Sequence, residues 1–189
     1  MSGQEYHSNI QLFNEKESIH TDKYYTDLAQ MEDTGFDYVK LQVEKTSGMG
    51  AVWVVYSEPN FGRAGPGKGK SCIVLTHESG TVIAPGFPIR SFQGFNVTQP
   101  CICLFEHSEY RGNKYSTNRN LDDIRDVFPP EEVSGMSSAI ALSGLWKVCT
   151  KPGFNGAKQD VNAIDQVQKI PLFAELNDKI RSVQLTRAS

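Results

Sequence analysis

The 189-residue chain has no CxxC and no HxxxH pattern, so its four cysteines, Cys72, Cys101, Cys103 and Cys149, fit no zinc template. Cys101 and Cys103 stand two apart, which on a strand puts both on one face and makes a bond between them awkward. Four reduced cysteines are expected. No apolar run approaches the roughly 18 residues that suggest a membrane span. The opening MSGQEYHSNIQ has neither a basic region nor an apolar stretch of the signal-peptide kind, so a cytoplasmic location is expected. The sequon Asn96-Val97-Thr98 then reads as incidental. Lys and Arg number 19 against 22 Asp and Glu, a net charge of −3. That balance excludes a generally basic nucleic-acid binder, because counterion release needs clustered cations. No G-x-S-x-G elbow is present, and His7, His20, His77 and His107 lie far apart beside no evident partner. No catalytic constellation emerges, and neither a metal nor another cofactor is expected.

What the chain does have is 16 Gly, 9 Pro, 10 Phe and 7 Tyr, spread evenly, with 39% apolar residues. That is enough apolar material for a sizeable core, and evenly spaced turn formers and aromatics point to many short strands. An all-β fold is expected. Cys101–Phe105, Ala139–Leu142 and Trp146–Cys149 read as strands. Short helical turns are expected at Asn120–Val127 and Leu172–Leu176.

The chain repeats itself. Trp53, Pro59 and Phe61 recur 93 positions later as Trp146, Pro152 and Phe154, and Ile10, Leu12 and Phe13 recur 92 later as Ile102, Leu104 and Phe105. Ile89-Arg90-Ser91 returns 91 later as Ile180-Arg181-Ser182. Two copies of one unit are expected, at 8–93 and 100–187, joined by a linker at 94–99 where Gly94 and Pro100 mark the edges. Each copy divides again, into stretches of about 9–49 and 50–93, then 100–143 and 144–187.

Phe105-x4-Tyr110-x-Gly112 shows what is repeated. Its aromatics pack across a folded hairpin, and Gly allows a positive φ where a side chain would clash. A later Ser can hydrogen-bond to the hairpin and close the corner. Devices of this kind organise a Greek key.

With FEHSEYRG at 105–112, WVVYSEPNFG at 53–62, WKVCTKPGFNG at 146–156 and LNDKIRS at 176–182, the sequence resembles the βγ-crystallin superfamily. The signature positions are Trp53, Tyr56, Phe61, Phe105, Tyr110, Gly112, Trp146, Phe154 and Gly156. Three motifs depart from the pattern. Cys149 replaces an aromatic in the fourth motif. Arg63 stands where Gly is expected in the second, with Gly62 displaced by one. Ser18 and His20 take the aromatic and Gly positions of the first. The resemblance implies two domains, each a sandwich of two Greek keys, and a non-enzymatic structural protein of the animal type. With only two tryptophans, and Lys outnumbering Arg, a non-lens member is expected. It also leaves open an interaction module partnering a pore-forming or stress-related protein, and a divergent calcium binder. The protein partner is unknown, and the chain is expected to be a monomer or a dimer made by pairing domains.

Calcium-binding members carry Asn/Asp-Asn/Asp-x-x-Ser/Thr-Ser, whose fifth position supplies a hydroxyl oxygen to a hard cation. The stretches 36–41, 86–91, 136–141 and 177–182 put Lys40, Arg90, Ile140 and Arg181 at that position. All four calcium motifs are therefore expected to be degenerate, with the acidic pair surviving only at Asn177-Asp178.

Two further features have plain readings. Ala64-Gly65-Pro66-Gly67-Lys68-Gly69-Lys70-Ser71 matches a loose phosphate-loop pattern, but strand-like Cys72-Ile73-Val74 follows where a helix is required. A flexible hairpin loop is expected, with Arg63, Lys68 and Lys70 leaving room for a weak anion patch. The pairs Asp122-Asp123 and Glu131-Glu132 are expected to be solvated, the first supporting the start of a short helix.

Overall fold

The computed structural model describes residues 8–14, 24, 26–31, 36–43, 51–63, 69–74, 82–97 and 99–188. The chain divides into two compact units, Met1–Val97 and Thr98–Ser189.

In the first unit, β1 (Ser8–Phe13) pairs with β2 (Tyr38–Val43), and β2 pairs with β5 (Val82–Ile83). Tyr24 bridges to Ile10 at the other edge of this sheet. The second sheet runs β4 (Ser71–Val74), β3 (Ala51–Tyr56), β6 (Ser91–Asn96), and Leu28 bridges to Phe92 beyond it. The short strand at 82–83 comes from the second motif yet completes the first motif's sheet, and Leu28 does the reverse. Each sheet borrows its outermost segment from the other motif.

The second unit is built the same way. β8 (Arg111–Thr117) pairs with β7 (Cys101–His107), β7 with the front of β9 (Ser138–Lys151), and β9 there with β11 (Gln168–Ile170). The back of β9 pairs with β10 (Asn155–Ala163) and β12 (Ser182–Arg187), and Leu121 bridges to Val183. Equivalent N–H groups bond equivalent carbonyls in the two units. Leu28 and Phe92 exchange bonds of 2.9 and 3.0 Å, and Leu121 and Val183 exchange bonds of 2.8 and 2.9 Å. A side chain also recurs: Asp27 accepts from Gly94 N at 2.7 Å, and Asn120 from Leu185 N at 2.8 Å.

The architecture is therefore all-β, two domains of paired Greek keys. Three local expectations change. β6 runs through Asn96 in register with Ala51, so residues 94–96 are strand rather than linker. The strands expected at Ala139–Leu142 and Trp146–Cys149 are one 14-residue strand, β9. It turns from one sheet to the other at Gly144, whose φ of +91° a side chain would strain. The helical turns are single 3-10 turns, at Ile124–Asp126 and Ala174–Leu176.

The alternation of β3 and β7 explains the cores. Trp53 and Val55 point into a cluster with Ile10, Leu12, Phe36, Ile89 and Phe92. Ile102 and Leu104 point into one with Trp146, Val148, Val161, Phe173 and Val183. Both tryptophans are fully buried. Burying one large apolar side chain contributes roughly 1.5–3 kcal/mol, so these clusters rather than strand propensity hold the sheets together.

Candidate functional site

The functional geometry of this fold lies where a strand's hairpin folds over and a later strand closes beneath it. One set of bonds gives all four motifs a common frame. Asp37 N donates to Phe13 O at 3.2 Å, Arg90 N to Tyr56 O at 2.8 Å, Ser137 N to Phe105 O at 2.9 Å, and Arg181 N to Cys149 O at 2.8 Å. The next residue, Tyr38, Ser91, Ser138 or Ser182, stands opposite that first hairpin position in the ladder.

Three of those residues are serines that close the corner identically. Ser91 Oγ donates to Glu58 O at 2.6 Å and accepts from Phe61 N at 3.0 Å. Ser138 Oγ donates to His107 O at 2.6 Å and accepts from Tyr110 N at 3.1 Å. Ser182 Oγ donates to Lys151 O at 2.7 Å and accepts from Phe154 N at 3.1 Å. Each hydroxyl thus satisfies a donor and an acceptor that the folded hairpin removes from its ladder. Phe61, Tyr110 and Phe154 all have positive φ, at 57°, 58° and 61°. Edge-on ring contacts add to two corners, Tyr56 with Phe61 at 6.2 Å and Phe105 with Tyr110 at 5.7 Å. Burial, with Glu109 beside it, pushes the Tyr110 phenol up, so it stays neutral.

The hairpin glycine recurs as well. Gly112 and Gly156 have φ of 78° and 81°, and the N–H after each donates to a side-chain oxygen six residues before the glycine, Asn113 N to Glu106 Oε2 and Ala157 N to Thr150 Oγ1. In the second motif the corresponding glycine is neither Arg63 nor Gly62 but Gly69. Its φ is 83°, and Lys70 N donates to Ser57 Oγ at 2.7 Å. Ser57 precedes Gly69 by 12 positions instead of 6, so this hairpin carries a six-residue insertion. The phosphate-loop-like stretch at 64–71 overlaps that insertion and ends in the hairpin glycine and β4. It leads into β4 and not into a helix. Arg63 and Lys70 are exposed at its two ends, whereas Lys68 lies outside the described residues, as do Ser18, His20, His7 and His77.

The common frame also moves two expected calcium positions. Lys40 is two residues inside β2, in register with Gln11 and Val82. Ile140 is inside β9, fully buried, in register with Cys103 and Lys169. Neither stands at a corner position in the ladder. The residues preceding the corner positions are Asp37, Arg90, Ser137 and Arg181, so the stretches at 36–41 and 136–141 were framed three residues late.

With Ser137 restored, the third and fourth motifs together bring oxygens to one point. Ser137 Oγ lies 2.6 Å from Glu106 O and 2.6 Å from Asp178 Oδ1, and accepts from Asp178 N at 3.2 Å. Asn177 Nδ2 donates to the other carboxylate oxygen at 3.0 Å. A hydroxyl has one proton and here two acceptors compete for it, so the cluster favours added positive charge. Hydroxyl, carbonyl and carboxylate oxygens are the ligands a hard cation takes, and exposed Asp178 leaves room for water to complete them. These residues fit calcium. A Cβ on Gly135 would collide with the Asp178 carbonyl, which is why this approach needs glycine.

At the other corner of the same unit, Arg181 NH2 reaches Asp123 Oδ1 and Oδ2 at 2.7 and 2.8 Å. A cation does not fit beside a guanidinium. In the first unit the frame opposes exposed Asp37 with Phe87, which is buried in the core where Asp178 stands in the second.

Asp123, expected to be solvated, thus has an ion pair, and it also accepts Arg125 N at 3.0 Å as the cap of the 3-10 turn. Burial alone would raise its carboxyl, but the bonds from Arg181 and Arg125 outweigh it and hold Asp123 below the usual carboxylate range. Glu131 and Glu132 are exposed, and His107 Nε2 lies 3.8 Å from Glu106 Oε1. The four cysteines all remain thiols. Burial pushes the Cys149 thiol up against the pull of Lys158 and Lys147, away from the reactive thiolate. Among the described residues, no three His, Cys, Asp or Glu side chains gather.

Residues 101–186 match the Beta/Gamma crystallin family model. The second unit thus matches that family, and the chain as a whole has the βγ-crystallin fold. Geodin, a βγ-crystallin from Geodia cydonium, shares the fold with a TM-score of 0.74 at 16% identity, over 95% of this chain and 99% of its own. A βγ-crystallin from Ciona intestinalis is 26% identical over 46% of this chain and 99% of its own, with a TM-score of 0.39. Protein S, solved complexed with calcium, has a TM-score of 0.35 at 14% identity over 95% of this chain and 99% of its own. No curated protein matches the sequence. The superfamily is generally non-enzymatic, and no helix among the described residues is long and apolar enough to cross a membrane.

Proposed function

We propose that this βγ-crystallin is a non-enzymatic structural protein, a non-lens member that works by staying folded. The observation that carries this reading is the triple recurrence of the serine-closed corner at Ser91, Ser138 and Ser182, each with the same two bonds. Devices repeated for rigidity, around cores closed by Trp53 and Trp146, slow unfolding rather than perform chemistry. A cytoplasmic location, and a monomer or domain-paired dimer, belong to this reading. The interaction-module alternative has no comparable feature, since only the ends of the 63–70 loop are described.

A second reading, a divergent calcium binder, is favoured by one specific observation, the oxygens of Glu106, Ser137 and Asp178 converging with one proton to share. Three of the four corners are degenerate, and this one would take a single ion weakly. Calorimetric titration with calcium separates the two readings, together with melting curves in calcium and in chelator. A structural scaffold keeps one midpoint in both. A calcium binder shows one ion per chain and a midpoint raised by several degrees, abolished by Asp178→Asn.

A further inference from the structure

The hairpins of the second, third and fourth motifs put β4, β8 and β10 at sheet edges. β10 bonds β9 on one side, and among the described residues no strand lies on its other side. It runs for nine residues, against four in β4 and seven in β8. Val161 and Ala163 enter the core, while Lys158, Asp160 and Asn162 stand exposed on the opposite face. Alternation along the ladder fixes the direction of the backbone groups. Cys149 turns its carbonyl to Arg181 N, on the β12 side, so Val148 turns its N–H and C=O to β10. Val148 stands opposite Gln159, which therefore bonds inward. Lys158 and Asp160 direct their N–H and C=O outward, to where a further strand would lie.

We propose that this edge joins a second copy of the chain, β10 against β10, antiparallel and centred on Gln159. That register sets Lys158 opposite the second copy's Asp160, and Asp160 opposite its Lys158. A two-fold axis matches a patch to itself, and here each copy offers one cation and one carboxylate and meets the opposite. The outward groups of Lys158 and Asp160 bond their counterparts in the same register. Shifting the centre by one residue would put Lys158 against Lys158 or Asp160 against Asp160, so charge selects the register. Asp160 already has Lys147 of β9 at 3.7 Å, and the second copy's Lys158 would flank it on the other side. The other two edges lack this pattern. Ser71 faces Tyr56, and Lys114 faces Phe105, as Lys158 faces Cys149. Two residues further on stand Ile73 and Ser116, so neither edge carries the carboxylate. An edge contact buries less than a standard interface, so the dimer is weak and depends on concentration. It goes beyond the scaffold reading and is separate from the pairing of domains.

The test is sedimentation equilibrium of the full chain from about 10 µM to about 1 mM, at low and at high salt. A reversible dimer that weakens with salt is expected. Lys158→Asp and Asp160→Lys each place like charges opposite one another and are expected to weaken self-association about tenfold. Both side chains are exposed, so neither change disturbs the core. Mixed in equal amounts, the two variants are expected to pair with each other. The double variant Lys158→Asp/Asp160→Lys, which exchanges the charges, is expected to dimerise as the unsubstituted chain does. Hydrogen exchange reads the backbone directly. The amides of Lys158 and Asp160 are expected to exchange more slowly as concentration rises, and that of Ile73 to stay unchanged. A chain that remains monomeric throughout, a dimer indifferent to both reversals, variants that fail to pair when mixed, or amides of Lys158 and Asp160 indifferent to concentration would overturn the proposal.

Discussion

The second and fourth motifs close their corners with the same serine bonds, Ser91 to Glu58 O and Ser182 to Lys151 O, over very different hairpins. The fourth turns tightly, Thr150 to Gly156, whereas the second carries six extra residues between Ser57 and Gly69. The ladder nonetheless resumes in the same register, Tyr56 opposite Ser71 and Cys149 opposite Lys158. Tightness of the turn is therefore not what fixes this hairpin. The serine anchors its fold and the glycine lets the chain re-enter the strand, so the length between them is open to change.

The deepest cut into that likeness is at the cores. Trp53→Ala and Trp146→Ala are each expected to cost about 3–5 kcal/mol, because both rings are fully buried. Denaturant unfolding would show whether the units lose stability equally. A loss below ~1 kcal/mol in either would break the equivalence.

Next come the anchors. Ser91→Ala and Ser182→Ala leave Phe61 N or Phe154 N without its partner, at about 1–3 kcal/mol each. If the anchor rather than the turn holds the hairpin, the long second hairpin loses as much as the short fourth. A Ser91→Ala loss near zero would show the insertion holding itself.

The glycines sharpen the contrast. Alanine at φ of 81–83° costs about 1–2 kcal/mol in either hairpin. At Gly156 the new Cβ also meets Thr150 Oγ1 and the Lys151 stem, whereas at Gly69 it meets the end of the Glu58 side chain, which can swing away. Gly156→Ala is expected to destabilise more than Gly69→Ala, and equal midpoints would refute the steric difference.

The smallest effect is electrostatic and confined to the fourth motif's corner. Asp123 is held below its ordinary value of 3.8, so its contribution is complete above the unfolded value and drains as pH falls through the lower, folded one. Titrating stability from pH 5 to pH 2 should show Asp123→Asn removing a dependence of at most ~1 kcal/mol, with no counterpart at Arg90. A dependence unchanged in Asp123→Asn would exclude the pair as its source.

Much of this was legible in the sequence. The offset of 91 to 93 between Trp53 and Trp146, or Ser91 and Ser182, revealed two units, and the aromatic and glycine spacing of 105–112 revealed the hairpin. The corners were harder because contacts between residues about 30 apart define them, not neighbours. Seven extra residues between Ile124 and Met136, relative to Met31 and Phe36, stretch the offset to 100, so Tyr38 corresponds to Ser138. The third motif offers Ser134, Ser137 and Ser138, and spacing cannot say which reaches His107 O. Lys40 and Ile140 take the fifth position only in a frame three residues past the corner. Gly69 was hidden similarly, by an insertion that only the bond from Lys70 N exposes. Asp123 had a weaker signal, since its Arg181 partner is 58 residues away.

The borrowed outer segments impose an order on synthesis. Leu28 has no strand to join until Phe92 has been made, and Leu121 must wait for Val183. No single motif can therefore close its sheets as it leaves the ribosome, and the smallest piece able to fold is a whole unit. At roughly 5–20 residues per second, each unit spends several seconds with its sheets incomplete, β3 waiting for β6 and β7 for β9. That interval, rather than the finished fold, is when this chain is most exposed to aggregation.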